Sequence, residues 1–426
     1  MARKVAVDVH RRWHYVLIME ERQEVLRRRF TADAAGEAAL LAALQSGDRV
    51  VLEATTGSFR LASRLESVGA SVTVLDPQEL RAVGFRGKKT AYRDCQALLR
   101  YLDDPDAPVV WRPDPLTREI RQLTRERFAF NQGIVRLKNR VRALLADEGL
   151  QAPEAPWEAA GQAWLAEQGL RPAVRRILTR ELAVIAVQEA LKAEQEQDLA
   201  TLARTLPDVQ RLLQLAGFGA ALAVMWWGEV GDLGRFKHPK HLVSYAGLHP
   251  TVAQSGDRVR HGALSKAGRT QLRWIMVEVA WRHVHQGGPE AEYFHRLVRR
   301  GKPEGVAIVA LARRLLVLAY HLVTRRDTHR ELDLAWFEAK LARLAATRPH
   351  GPEPEPCNRD WAADQVEALT GQTSARRAAG IPRRLRRRRP EGATRASRAG
   401  GRRRHSLGSP PAGPAERGEP HASGPP

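Results

Sequence analysis

This sequence predicts an α/β domain, then a long helical stretch, then a mostly helical domain with a basic tail, and three observations predict it. Residues 4–30 hold three short runs rich in β-branched and apolar residues, KVAVDV, HYVLIME and EVLRRRF, parted by polar turns. Residues 116–150 switch to apolar residues recurring at spacings of three, four and seven. Residues 350–426 turn over to Pro, Gly, Ser, Ala and Arg, with no aromatic residue after Trp361.

The elements follow in order. After the three strands comes an alanine- and leucine-rich helix at about 33–45, then a strand, RVVLEA (49–54), a helix at about 58–67 and a strand, SVTVLD (71–76). AYRDCQALLRYL (91–102) reads as a further helix. Three meandering strands followed by alternating helix and strand is the order of an RNase H-like α/β domain, assigned here to residues 1–110. Residues 111–206 form a helical, coiled-coil region. Leu116, Ile120, Leu123, Phe130, Ile134, Leu137, Val141 and Leu144 mark a seam on the first helix, and Leu178, Leu182 and Ile185 mark a second helix at about 174–205. The two could pair as an antiparallel hairpin or join two subunits. Residues 207–330 form a third unit, in which LLQLAGFGAALAVMWWGEV (212–230) reads as helix, glycine turn, helix. Gly217 and Gly219 at that turn suggest a helix-hairpin-helix whose amides bind backbone phosphate. Trp226 and Trp227 read as core. Residues 331–370 form a helical segment and linker, and residues 371–426 a disordered basic tail.

Charge points to a polyanionic partner. The 426 residues carry a formal net charge of +21, of which the 14 arginines and three glutamates of residues 371–426 supply +11. The remainder is therefore basic in its own right, as expected of a nucleic-acid-binding protein. Cys95 and Cys357, the two cysteines, cannot form a zinc cluster alone and suit a reducing compartment. The apolar stretch 306–323 is broken by Arg313 and Arg314, so no membrane span is expected and a cytoplasmic location is.

Two sets of residues carry chemistry. Asp8 ends the first strand, Glu53 ends the strand VVLE, and Asp94 opens the helix RDCQALL. A single Asp at a strand end is more often a turn former or a helix cap. In an RNase H-like sheet, however, these three places converge at one edge, where carboxylates bind hard divalent cations such as Mg²⁺ for phosphoryl transfer. The second set is Ser255 beside Gly256 in a basic, glycine-punctuated loop that runs to Lys266, Arg269 and Arg273. A small hydroxyl next to glycine and flanked by cations suits attack on a phosphodiester. Lys266, Arg269 and Arg273 stand three and four apart, which puts them on one helix face as phosphate contacts or as a solvated face. Ser265 reads as a helix N-cap. His10, His14, His238, His241 and His249 match no closed zinc pattern and read as surface or capping residues.

These stretches together resemble the insertion-sequence-110 family of transposases, which are recombinases. VAVDVHRRWHYVLIM (5–19), VVLEATTGSFRLASRLESVGASVTVLDP (50–77), KKTAYRDCQALLRYL (88–102) and the run from LLQLAGFG through YAGL and SKAG (212–273) carry the resemblance. It implies an N-terminal RuvC-like domain with four acids and a C-terminal domain with a serine that joins transiently to DNA. It also implies a helical insert that promotes homo-oligomer assembly and a structured guide RNA that pairs with the element's ends and the target DNA. Asp8, Glu53 and Asp94 match three of the acids. Ala91 stands where the pattern has its third, in Lys89-Thr90-Ala91-Tyr92-Arg93-Asp94. Ser255 matches the nucleophile, with Asp257 where the family usually has a second glycine. The expected function is thus a DNA transposase-recombinase. The alternatives are a decayed copy that binds nucleic acid without cutting it, and a RuvC-type nuclease that uses water and ignores Ser255.

Overall fold

Alternating apolar side chains build the first layer. The computed structural model describes residues 3–83, 90–255, 258–347 and 360–378, and the chain divides into two units, Met1–Asp114 and Pro115 onward. The first unit holds β1 (Lys4–Val9), β2 (Trp13–Glu20), β3 (Gln23–Thr31), α1 (Ala34–Ala43), β4 (Arg49–Glu53), α2 (Ser58–Glu66), β5 (Ser71–Leu75), α3 (Pro77–Val83) and α4 (Ala91–Arg100). The strands form one sheet in the order β3-β2-β1-β4-β5. β1 runs antiparallel to β2 and parallel to β4, and β4 is parallel to β5. Glu21 and Arg22 both have positive φ, as the tight two-residue turn between β2 and β3 requires.

Both faces of this sheet are covered, which is why its central strands are apolar nearly throughout. Val5, Val7, Val50 and Leu52 pack with Leu40 of α1 and Leu61 and Leu65 of α2. Ala6, Leu17, Val51 and Leu75 pack with Cys95 and Leu98 of α4 on the other face. Asp33 caps α1, accepting from Gly36 N at 2.8 Å. Glu37, buried on α1, is held by Arg60 and Arg64 of α2. Hydrogen bonding to Arg60 draws its carboxyl below the ordinary value against the opposing pull of burial. His14 lies 3.8 Å from that carboxylate and is buried, so it is neither the surface nor the capping residue that its spacing suggests.

The second unit is mostly helical: α5 (Pro115–Asp147), α6 (Ala159–Glu167), α7 (Pro172–Thr205), α8 (Pro207–Leu212), α9 (Ala220–Val230), α10 (Pro239–Tyr245), β6 (Pro250–Ser255), β7 (Arg258–Leu264), α11 (Thr270–Gln286), α12 (Pro289–Arg299), α13 (Glu304–Thr324), α14 (Leu334–Ala346), α15 (Trp361–Thr370) and α16 (Ala375–Ala378). α5 and α7 pair antiparallel within the chain. Val141 and Leu145 near the end of α5 meet Val174 and Leu178 near the start of α7. Near the other ends, Arg127 meets Glu196 and Ile120 shares a core with Leu199. The buried stripe of α5 keeps Ile120, Ile134 and Val141 of the expected seam, with Leu123, Leu137 and Leu144 packed against the cores, and it also takes in polar residues. It runs through Thr117, Ile120, Arg121, Thr124, Arg127, Ile134, Val141 and Leu145, while Leu116 is 44% exposed. Arg121 can sit inside because Nε and Nη2 donate to the carbonyls of Gly228 and Glu229, at 2.7 and 2.9 Å.

α13 is long and apolar enough to cross a membrane by length and composition, but half of its most apolar window is buried in the core of this unit. Trp226 lies in that core and Trp227 packs against it. His238 caps α10, its Nδ1 accepting from Lys240 N at 3.2 Å. The tail begins later than its composition suggests, because α16 is helical and Ser374 is fully buried. The remainder, 379–426, lies outside the described residues.

Candidate active site

The carboxyl ends of β1 and β4 bring two of the predicted acids side by side. Val7 pairs with Leu52 in parallel register, so Asp8 and Glu53 are the next positions on adjacent strands. With a side-chain period of two, they fall on the face of Ala6 and Val51, which α4 covers. α4 presents its N-terminus to that edge. Thr90 caps it, accepting from Arg93 N at 3.3 Å, and Asp94 occupies the first turn. Cys95, the next residue, is buried against β1, its thiol 3.8 Å from Ala6 O and 3.6 Å from Tyr15 O. Burial pushes this thiol up to about 12, and the charges of Asp8 and Asp94 add to the rise. Asp8 and Asp94 are therefore both near one buried sulfur. Ala91 stands one turn before Asp94, on the same side of α4. Asp103 is engaged by Lys4 and by Arg49 Nη1, at 2.9 Å for the latter. Both are first residues of their strands, so Asp103 lies at the opposite end of the sheet and takes no part.

The three acids are right in kind for a hard cation, but they are not drawn in around a point. Asp8 Oδ2 lies 3.1 Å from His10 Nε2. Among the described residues no group of three His, Cys, Asp or Glu side chains is placed to hold a metal ion.

Ser255 is the last residue of β6 and pairs with Arg258, so the expected loop is a β-hairpin. Alternation in PTVAQS and RVRHGAL is the signal that would have shown it. Gly256 and Asp257 at its tip lie outside the described residues, as does the Ser255 side chain.

The cationic set is corrected. α11 begins at Thr270, so Lys266 and Arg269 precede the helix and Arg273 alone of the three lies on it. Lys266 has φ +54° and Gly268 φ +115°, a chain path that interrupts any helix there. Ser265 is no helix cap, since its hydroxyl accepts from Ala267 N at 3.3 Å in a local turn. Arg273 Nη1 donates to Ala246 O and Lys266 O, at 3.2 and 3.0 Å. Arg269 Nε donates to Tyr245 Oη at 2.8 Å and lies 3.8 Å from buried Glu229. Both arginines thus hold the loop to the body of the unit, while Lys266 is exposed.

The glycine turn is corrected too. Gly217 is buried, and its N–H donates to His283 Nδ1 at 2.9 Å, leaving that amide unable to take a phosphate. A Cβ there would lie 2.1 Å from Val279 O, so the glycine serves close packing of the turn on α11. Gly219 is the half-buried residue before α9.

Three groups escaped sequence reasoning because their partners are remote in the chain. Glu229, 2% exposed, sits 3.5 Å from Arg125. Burial raises the Tyr245 hydroxyl, but Arg269, Arg235 and Arg121 outweigh it and leave it below its ordinary value. Lys340 Nζ reaches four carbonyls of the glycine turn.

Residues 5–148 match a transposase family model of the DEDD, IS110 type, and residues 209–296 match the model for transposases of the IS116/IS110/IS902 family. A putative transposase, y4qE, of Sinorhizobium fredii is 30% identical over 53% of this chain and 55% of its own length. The chain thus spans about half of that relative. The transposase for insertion sequence element IS1111A of Coxiella burnetii is 24% identical over 66% of this chain and 79% of its own length. A probable family 20 transposase of Pseudomonas aeruginosa is 26% identical over 66% and 85%.

Proposed function

This chain belongs to the IS116/IS110/IS902 family of transposases, and from that premise we propose that it cuts and rejoins the DNA of an insertion sequence through Ser255. The observation that carries the reading is the placing of Asp8 and Glu53 in register at one sheet edge, on the face that α4 covers with Asp94 in its first turn. Asp8, Glu53 and Asp94 are the residues that would hold a divalent cation, Mg²⁺ by the hardness of the oxygen donors. Bound there, such an ion would neutralise charge on a scissile phosphate. Ser255 Oγ bonds to phosphorus as the bond to the leaving deoxyribose oxygen breaks. The serine proton passes to a base and the leaving oxygen takes one up, so a phosphoserine-type linkage keeps the phosphodiester energy for rejoining. DNA at the element's ends and at the target is the substrate, a structured RNA the guide, and a homo-oligomer the acting form.

The test is a covalent adduct. Incubated with end DNA, the RNA transcribed beside its gene and Mg²⁺, the protein should form a DNA adduct that denaturant does not remove and that Ser255→Ala abolishes. An adduct that persists in Ser255→Ala refutes the nucleophile.

Ala91 favours a second reading, a copy that binds without cutting, because alanine offers a cation no oxygen. Ala91→Asp would set a carboxylate beside Asp94 on α4. Activity that appears with this change and is absent without it assigns the natural chain to that reading.

A further inference from the structure

The turn between α8 and α9 presents four backbone carbonyls to a single nitrogen. Lys340 Nζ of α14 donates to Leu213 O, Leu215 O, Ala216 O and Phe218 O, at 3.0, 3.1, 3.4 and 2.6 Å. The Trp336 ring closes one further side, its centroid 3.7 Å from Nζ. Rings of backbone carbonyls at such spacing are how proteins replace the hydration shell of an alkali cation. An ammonium ion has similar size and charge. Burial pulls this amine down to about 6, but a neutral amine would have two hydrogens for four acceptors and would turn its lone pair on a carbonyl, so the carbonyls favour the ammonium, whose three hydrogens reach four oxygens with one shared. The amide side of the same turn is engaged separately, by His283 at Gly217.

We propose that residues 213–218 form a carbonyl cage for a monovalent cation, filled in cis by the ammonium of Lys340. The lysine is a positioning residue. It gathers oxygens that would otherwise repel one another and so fixes the path of the chain from α8 into α9. Vacated, the cage should accept K⁺ or NH₄⁺, which fit oxygens at these distances, and should take poorly to Li⁺, which is too small, or to choline, which is too large.

The test is thermal melting of the full chain and its variants in KCl, NH₄Cl, LiCl and choline chloride at equal ionic strength, each read against the wild type in the same salt. Lys340→Ala should melt several degrees below wild type in LiCl and choline chloride and regain most of that loss in KCl and NH₄Cl. Lys340→Met, whose apolar chain stays in the cage, should be low in all four. Two results overturn the proposal. One is Lys340→Ala indifferent to the cation, including failure to fold in every salt. The other is Lys340→Met as stable as wild type, which would show that the carbonyls need no cation.

Discussion

His283 holds Gly217 through a bare ring nitrogen, and that gives this contact a pH dependence. Nδ1 accepts the Gly217 N–H, so protonation there forfeits the bond. Burial, foremost, pushes the imidazole down to about 4, with Lys340 and His329 acting the same way and Glu290 and the Val279 carbonyl opposing. A folded value below the unfolded one of about 6.5 means the contribution is whole above pH 6.5 and is lost as pH falls toward 4. Over that window the loss is about 3 kcal/mol. Urea titrations at pH 7 and pH 4 should show His283→Gln losing less stability than wild type by an amount of that order. An equal loss in both would mean that the ring titrates normally. None of this is legible at residue 217 or 283 alone, since the partners are 66 positions apart. The carboxylates were legible for the opposite reason. Asp8, Glu53 and Asp94 are defined by where an element ends, which local pattern reveals. The shared helix face of Lys266, Arg269 and Arg273 was misread because the chain turns at Lys266 and Gly268 before α11 begins, and Arg269 and Arg273 reach Tyr245 and two carbonyls instead.

Elements were read well where one periodicity ruled and less well where two requirements competed. The five strands were legible as short runs rich in β-branched and apolar residues, and both faces of their sheet are covered. β6 and β7 were taken for a loop because glycine and charge masked their alternation. α5 was rightly a long helix, and Ile120, Ile134 and Val141 of its expected seam are buried, but the polar part of its inner stripe was missed. Apolar spacing favours the leucines, whereas packing against α9 demands donors for the carbonyls of Gly228 and Glu229, which Arg121 supplies. Arg121 and Leu116 therefore predict opposite outcomes. Arg121→Ala removes two buried hydrogen bonds, strands the Gly228 carbonyl and leaves Glu229 O to the Tyr245 hydroxyl at 3.4 Å, a cost of about 2–4 kcal/mol. Leu116→Ala, at an exposed position, should change stability by less than about 0.5 kcal/mol. Chemical denaturation of both variants decides it, and a large loss from Leu116→Ala would put Leu116 back inside the seam.

At the scale of the whole molecule, charge and fold part company inside the last sixty residues. Composition alone would begin the tail at residue 371, where arginine becomes frequent. The chain keeps folding to Ala378 because α16 packs on α14 and α15 and buries Ser374. A boundary drawn from composition misses this, since a four-residue helix has no periodicity to read. Two truncations separate the roles. Ending the chain after Ala378 removes 12 arginines and three glutamates while leaving every described element intact. Melting should not change, while affinity for duplex DNA should fall and the plot of log K against log salt should become shallower, because fewer counterions are released. Ending it after Thr370 removes α16 and Ser374 as well, so melting should also drop. Equal melting of the two truncated chains would show that α16 adds nothing to the fold. An unchanged salt slope would locate DNA binding wholly in the rest of the molecule, whose own excess charge of +12 is enough to supply it.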